Sequence, residues 1–172
     1  FRVNTTQAGY QWNGKVVAGS VGEFIVVWMQ TNARGWDIKA QRFNKDGQRQ
    51  GSEFTVAQNI LQNTGTRPNV AQERDVEYAS ENAWLAASAS NNRLAVAWVD
   101  DSGNTGFDIF GQVFDFSGEP QTSKFIVNQT QSGEQTEPGI SIGAKDEILI
   151  AWMSDPDTPV DTSGLVQDPT NP

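Results

Sequence analysis

Three segments of the chain are apolar at almost every position and end near a tryptophan: EFIVVWMQ (23–30), RLAVAWVD (93–100) and EILIAWMS (147–154). Each opens on a charged residue and turns polar within two residues of the tryptophan. A short apolar run of this kind reads as a strand buried on both faces. WDIKAQRF (36–43) instead alternates, as a strand does when one face is buried. Clusters of Gly, Asn, Asp and Ser separate the segments, as turns require. Only EYASENAWLAAS (77–88), rich in Ala and Glu, has helical character, and a short helix is expected there.

The pattern recurs at fixed intervals. Phe1 lies 27 residues before Trp28 and Phe125 lies 27 before Trp152, and both open one phrase, FRVNTTQAGYQ and FIVNQTQSGEQ. GWDIKAQRFNKDG (35–47) aligns without a gap to GFDIFGQVFDFSG (106–118), and Phe54 and Phe125 follow 18 residues after Trp36 and Phe107. In the middle copy Phe54 lies 44 residues before Trp98, an excess of 17 that places an insertion near 73–88. A repeat of this length marks a stacked architecture. The units run over about 1–53, 54–124 and 125–172 within one domain.

Each unit reads as four strands, in the first KVVAGS, EFIVVWMQ, WDIKAQRF and SEFTVA. Trp28, Trp98 and Trp152 are expected at equivalent buried sites between neighbouring sheets. The third unit decays after Trp152, with GLVQ (164–167) as a remnant strand. Residues 1–6 read as an outer strand without its own unit. They are expected to pair with a sheet edge at 147–153 or 164–167, in the same chain or a neighbour.

The phrase F-x-V-N … G-x-F-x-V-x-W … D-I-x-x-Q-x-F resembles repeats of large secreted and surface proteins of bacteria. These often accompany calcium-binding nonapeptide repeats, cadherin-like modules or other adhesion modules. The resemblance implies an all-β chain: a β-propeller-like array of three four-stranded antiparallel blades, the third incomplete, with an insertion in the second. It also implies a secreted or cell-surface location. Three blades fall short of the roughly 4 to 8 of closed propellers.

Charge and composition narrow the function. The 172 residues carry a net charge of −9, without histidine or cysteine. An acidic surface lacks the basic patch that nucleic acid demands. Thiolate or imidazole zinc sites and His-dependent catalytic triads are excluded. No apolar stretch approaches the roughly 18 to 20 residues of a membrane-spanning helix. FRVNTT opens strand-like rather than as a signal peptide, so the chain is read as a mature or trimmed product.

Positions that break the repeat are the better candidates for function. Trp12 stands where the other copies have Thr66 and Thr136, and Tyr78 and Trp84 lie in the insertion. All three are candidate ligand-binding aromatics, for a glycan or a protein partner. The stretch DDSGNTGFD (100–108) gathers Asp100, Asp101, Asn104 and Asp108, oxygen ligands of the type Ca²⁺ accepts. Within it, Asp101 to Thr105 resembles the Asp-box of sialidase propellers, though Phe107 comes one residue late and Val99 holds the serine position. Asn4 and Asn128 both begin N-x-T sequons at one repeat position, which the repeat itself explains.

No motif marks a nucleophile, phosphate loop or cofactor. The expected function is therefore a non-catalytic extracellular structural, adhesion or assembly module, possessing no enzyme activity, with Ca²⁺ as its candidate cofactor and self-association through sheet edges. The alternative is a carbohydrate-binding or glycoside-cleaving β-propeller, for which any two of 21 acidic residues can supply the carboxyl pair.

Overall fold

The computed structural model describes residues 1–61, 85–101, 107–129 and 133–154, and all regular structure among them is β. Strands β1 (Gln11–Ala18), β2 (Phe24–Thr31), β3 (Trp36–Phe43) and β4 (Arg49–Ile60) form a first antiparallel sheet in chain order. A second four-stranded sheet repeats the order with β5 (Leu85–Ser90), β6 (Arg93–Asp100), β7 (Asp108–Asp115) and β8 (Phe125–Ile126). A third sheet pairs β9 (Gln135–Ile142) with β10 (Ile148–Ser154). The first strands of the three sheets adjoin, β5 contacting both β1 and β9.

The tryptophan runs are apolar throughout because their two faces meet different neighbours. In β2, Ile25, Val27 and Met29 join a large core shared with the second sheet, while Val26 and Trp28 join Phe43, Phe24 and Val3 in a separate cluster. In β6 every residue from Leu94 to Asp100 is buried. In β10 the run covers only one face: Ile148 and Ile150 are buried, whereas Leu149 is 50 % and Met153 56 % exposed. Trp28 and Trp98 are accordingly buried and Trp152 is half-buried.

Register supports the repeat. In β1 the pairing slips between Trp12 and Lys15, opposite Trp28, with Asn13 at φ 53°. In β9 it slips opposite Trp152, with Glu137 at φ 54°. Two residues against one is a β-bulge, which tightens the local twist. Trp12 and Thr136 are thereby true counterparts, opposite Met29 and Met153.

Two expectations need correction. Residues 85–88, assigned to the insertion and to a possible helix, belong to strand β5; the remainder of the insertion lies outside the described residues. Residues 1–5 lie on the first sheet rather than along 147–153, and the other expected edge, 164–167, lies outside the described residues. Arg49 Nη2 donates to the carbonyl oxygens of Arg2 (2.7 Å) and Val3 (3.3 Å), and the Thr5 N–H donates to the Glu53 carboxylate. Phe1 packs on Phe43, ring centroids 5.4 Å apart, and borders Gly47. Phe54 meets Phe114 (6.0 Å) and Gly118 in the same way one unit on.

The hairpin turns β1–β2, β5–β6 and β9–β10 share one end of the sheets. There Asn91 Nδ2 donates to the Ala144 carbonyl and to Asp146 Oδ1, both at 3.0 Å, and Arg42 Nη1 donates to the Phe116 carbonyl at 3.3 Å. Asn91 and Asn92, at φ 47° and 63°, make the tight two-residue turn that such positive angles permit. The opposite end carries the connections between β2 and β3, β4 and β5, β6 and β7, and β8 and β9.

Candidate functional site

The connection end holds a group of carboxylates. Asp100 closes β6 and Asp108 opens β7, and the two are direct register partners. Neither is reachable from solvent, Asp100 being 2 % and Asp108 0 % exposed. A buried carboxylate must be paired or hydrogen-bonded. Asp100 meets that demand: its Oδ1 accepts the Leu61 N–H at 3.1 Å and its Oδ2 meets Lys124 Nζ at 2.8 Å. The Lys124 ammonium also lies 4.0 Å over the Phe110 ring, a cation–π contact.

Asp108 meets it only by half. Its Oδ1 accepts Asn128 Nδ2 at 2.7 Å, but its Oδ2 is buried with no hydrogen-bond partner among the described residues. Burial pushes its carboxyl above the usual range, and the nearby charges of Asp100 and Glu134 push the same way, against the opposing Asn128 hydrogen bond. The counterpart in the first sheet differs. Asp37 Oδ1 accepts Asn32 Nδ2 (2.6 Å) and the Asn59 N–H (3.1 Å), while its Oδ2 lies 3.4 Å from Lys39. The repeat thus supplies the aspartate, and the second unit leaves one of its oxygens unused.

Glu134 joins the group from the segment before β9, its Oε2 accepting the Phe107 N–H at 3.1 Å. Next to it Gln135 is buried and accepts Trp152 Nε1 at 3.1 Å. Asn128 is 3 % exposed and holds both Asp108 and the Ile109 N–H (2.7 Å), so its sequon is a structural device. Lys124, Asn128 and Glu134 were invisible as site residues in the sequence. The available signal was the Asn shared by FRVN and FIVN; Asn128 serves the neighbouring strand, whereas Asn4 donates locally to the Thr6 carbonyl.

Among the calcium candidates, Asp100 and Asp108 adjoin and Asp101 is half-buried, while Asn104 lies outside the described residues. No group of three or more carboxylates among the described residues is arranged as a metal cage. Of the aromatic candidates, Tyr78 and Trp84 lie outside the described residues. Trp12 is half-buried and tilts against Trp36 at 6.2 Å, with Tyr10 beside it 62 % exposed. Trp36 pairs with Ile60, the residue before Leu61, so these rings share the carboxylates' end.

No family model matches the chain, and no curated protein sequence matches it. Solved structures do. An α-L-arabinofuranosidase from Lactobacillus brevis is similar over 94 % of this chain and 51 % of its own, with TM-score 0.52 and 11 % identity. An endo-arabinase from Bacteroides thetaiotaomicron is similar over 90 % of this chain and 55 % of its own, with TM-score 0.47 and 13 % identity. The chain thus spans about half the length of these proteins.

The arabinofuranosidase likeness overturns the reading of a non-catalytic adhesion module, and with it the reading of no enzyme. The architecture taken as a scaffold is one that a glycosidase uses over nearly the whole of this chain. A missing nucleophile motif does not argue against such an enzyme. Cleaving a glycosidic bond needs only two suitably placed carboxyls, which leave no signature in a sequence.

Proposed function

We propose that the chain is part of a glycoside-cleaving β-propeller acting on arabinose-containing glycans, its three sheets being successive blades. The carrying observation is the fold shared with an arabinofuranosidase over 94 % of the chain. The carboxylates at the connection end suit that chemistry. Glu134, half-buried where Asp100 and Asp108 are sealed from solvent, is the one of them able to meet a sugar and serve as one of the two carboxyls that such cleavage needs. Trp12 and Trp36 offer rings on which a sugar face stacks at the same end.

The test is hydrolysis of an aryl α-L-arabinofuranoside and of arabino-oligosaccharides, with calorimetric binding measured alongside. Turnover is expected, with kcat falling about 10²- to 10⁴-fold in Glu134→Gln while binding persists. Binding without turnover would reduce the reading to a carbohydrate-binding propeller. Absence of both would refute it.

A further inference from the structure

Strand β1 loses its pairing at one point, and the residues there are Asn13 and Gly14. Trp12 pairs with Met29 and the register resumes with Lys15 on Val27, so neither intervening residue has a partner on β2. No other asparagine of the chain is followed by glycine. The chemistry of that pair is particular. The carboxamide carbon of an asparagine can reach the amide nitrogen of the next residue, and glycine alone brings no Cβ to crowd the approach. A strand normally prevents this, because the ladder holds each nitrogen in a hydrogen bond until the structure opens.

The third sheet tells how far that protection applies here. Its bulge places Glu137 and Pro138 where the first has Asn13 and Gly14, since Thr136 pairs with Met153 and Gly139 with Ala151. Proline has no N–H, so the ladder asks for no donor at the Gly14 position. Glu137 has φ 54° and Asn13 φ 53°, so the two bulges share one conformation, and it accommodates a carboxylate. Glu137 is half-buried although the second sheet packs on β9, so water reaches this side-chain position even in a sheet with a neighbour ahead of it. The Asn13 carboxamide is also weakly held. Its Nδ2 donates to the Met29 thioether at 3.9 Å, a poor acceptor.

We propose that Asn13 is a site of spontaneous covalent modification, in which the Gly14 nitrogen displaces the side-chain amide. The nitrogen attacks Asn13 Cγ, the new C–N bond closes a succinimide ring, and Nδ2 leaves as ammonia, taking the proton that the nitrogen gives up. Water then opens the ring at either imide bond. Aspartate or isoaspartate is left at position 13, and the Gly14 N–H is restored. Nothing is oxidised or reduced, and water is the sole co-reactant. Both products add a negative charge next to Trp12, as Glu137 supplies one next to Thr136. Isoaspartate also lengthens the backbone, at the one place in β1 where the register already slips. The inference concerns the bulge and does not depend on the hydrolase reading.

Peptide mass mapping of the intact folded chain, held at mildly alkaline pH and sampled over time, tests it. Asn13 is expected to lose its amide before any other asparagine, with isoaspartate among the products. Its rate should lie within about tenfold of the rate for the same chain in urea, because no opening of the ladder has to precede the attack. Gly14→Ala adds a methyl that meets nothing within 4 Å, so that variant is expected to fold and to lose the Asn13 amide severalfold more slowly. A folded rate below that bound, earlier loss at another asparagine, or indifference to Gly14→Ala would each overturn the proposal. Circular dichroism of both proteins separates a change of rate from a change of fold.

Discussion

Lys124→Met removes an ammonium but keeps the hydrocarbon stem that lies over Phe110, so it isolates the charge. The partner, Asp100, has a side chain 3 % exposed, and without Lys124 it loses its ion pair. Breaking a fully buried pair costs about 3–5 kcal/mol. The Lys124 side chain is itself 40 % exposed, however, and water screens its share. A destabilisation of about 2 kcal/mol is the reasoned value, and about 4–8 °C in melting temperature for a chain of this size. Asp100→Asn keeps an acceptor for the Leu61 N–H while removing the charge. In that background Lys124→Met should cost markedly less, a coupling of about 1–2 kcal/mol. Urea unfolding of the four proteins at pH 7, in low and high salt, measures this. Additivity within about 0.3 kcal/mol would refute the reasoning, because the pair would then contribute nothing as a pair.

The remaining predictions concern single positions. A Cβ on Gly111 would meet the Phe125 ring at 2.8 Å, so Gly111→Ala is expected to destabilise by about 1–3 kcal/mol in thermal melts. Ala40 fills the same repeat position in the first sheet, and Ala40→Gly should cost only about 1 kcal/mol. Asp108 has its folded pKa raised, so the folded state binds the proton more tightly. Its contribution is favourable below the ordinary aspartate value of 3.8 and is lost as pH rises through the folded pKa. Asp108→Asn should therefore gain on the wild type as pH rises across that window, and parallel stability curves would count against the burial argument. Calcium held by the 100–108 loop is expected to raise the melting temperature by an increment that Asp101→Ala removes. Melts that superimpose with calcium and with chelator would rule the ion out.

The strands with strong period, β2, β3, β6 and β10, were legible because burial on one or both faces writes itself into side-chain choice. LAASAS was not. Its Ala and Ser carry weak β preference, and the segment is a strand because β5 contacts both β1 and β9, where small side chains fit. The error at the insertion has the same root. Counting alone cannot place an insertion's end: Leu85 pairs with Trp98, so the strand resumes inside the segment that the spacing assigned to the insertion. Residues 1–6 read as an outer strand but form none; they lie on the first sheet, and pairing along an edge and packing on a face demand the same alternation. At the site, Asp100 and Asp108 were singled out for calcium. The features that distinguish Asp108, an unpartnered oxygen and two carboxylate neighbours, arise from contacts across sheets that no local spacing encodes.

The two ends of the sheets differ in how much change they tolerate. At the hairpin end, tight turns bond to one another across sheets, from Asn91 to Ala144 and Asp146 and from Arg42 to Phe116, so an added residue there would break several contacts at once. Register, which a single-residue slip would invert, is therefore guarded at that end. The connections at the other end differ in length from unit to unit, from the four residues between β2 and β3 to the 24 between β4 and β5. A lineage can rewrite that end, loop by loop, without renegotiating how the strands align. On the proposed hydrolase reading, selectivity for a glycan and stability of the fold become separately adjustable traits of one short chain.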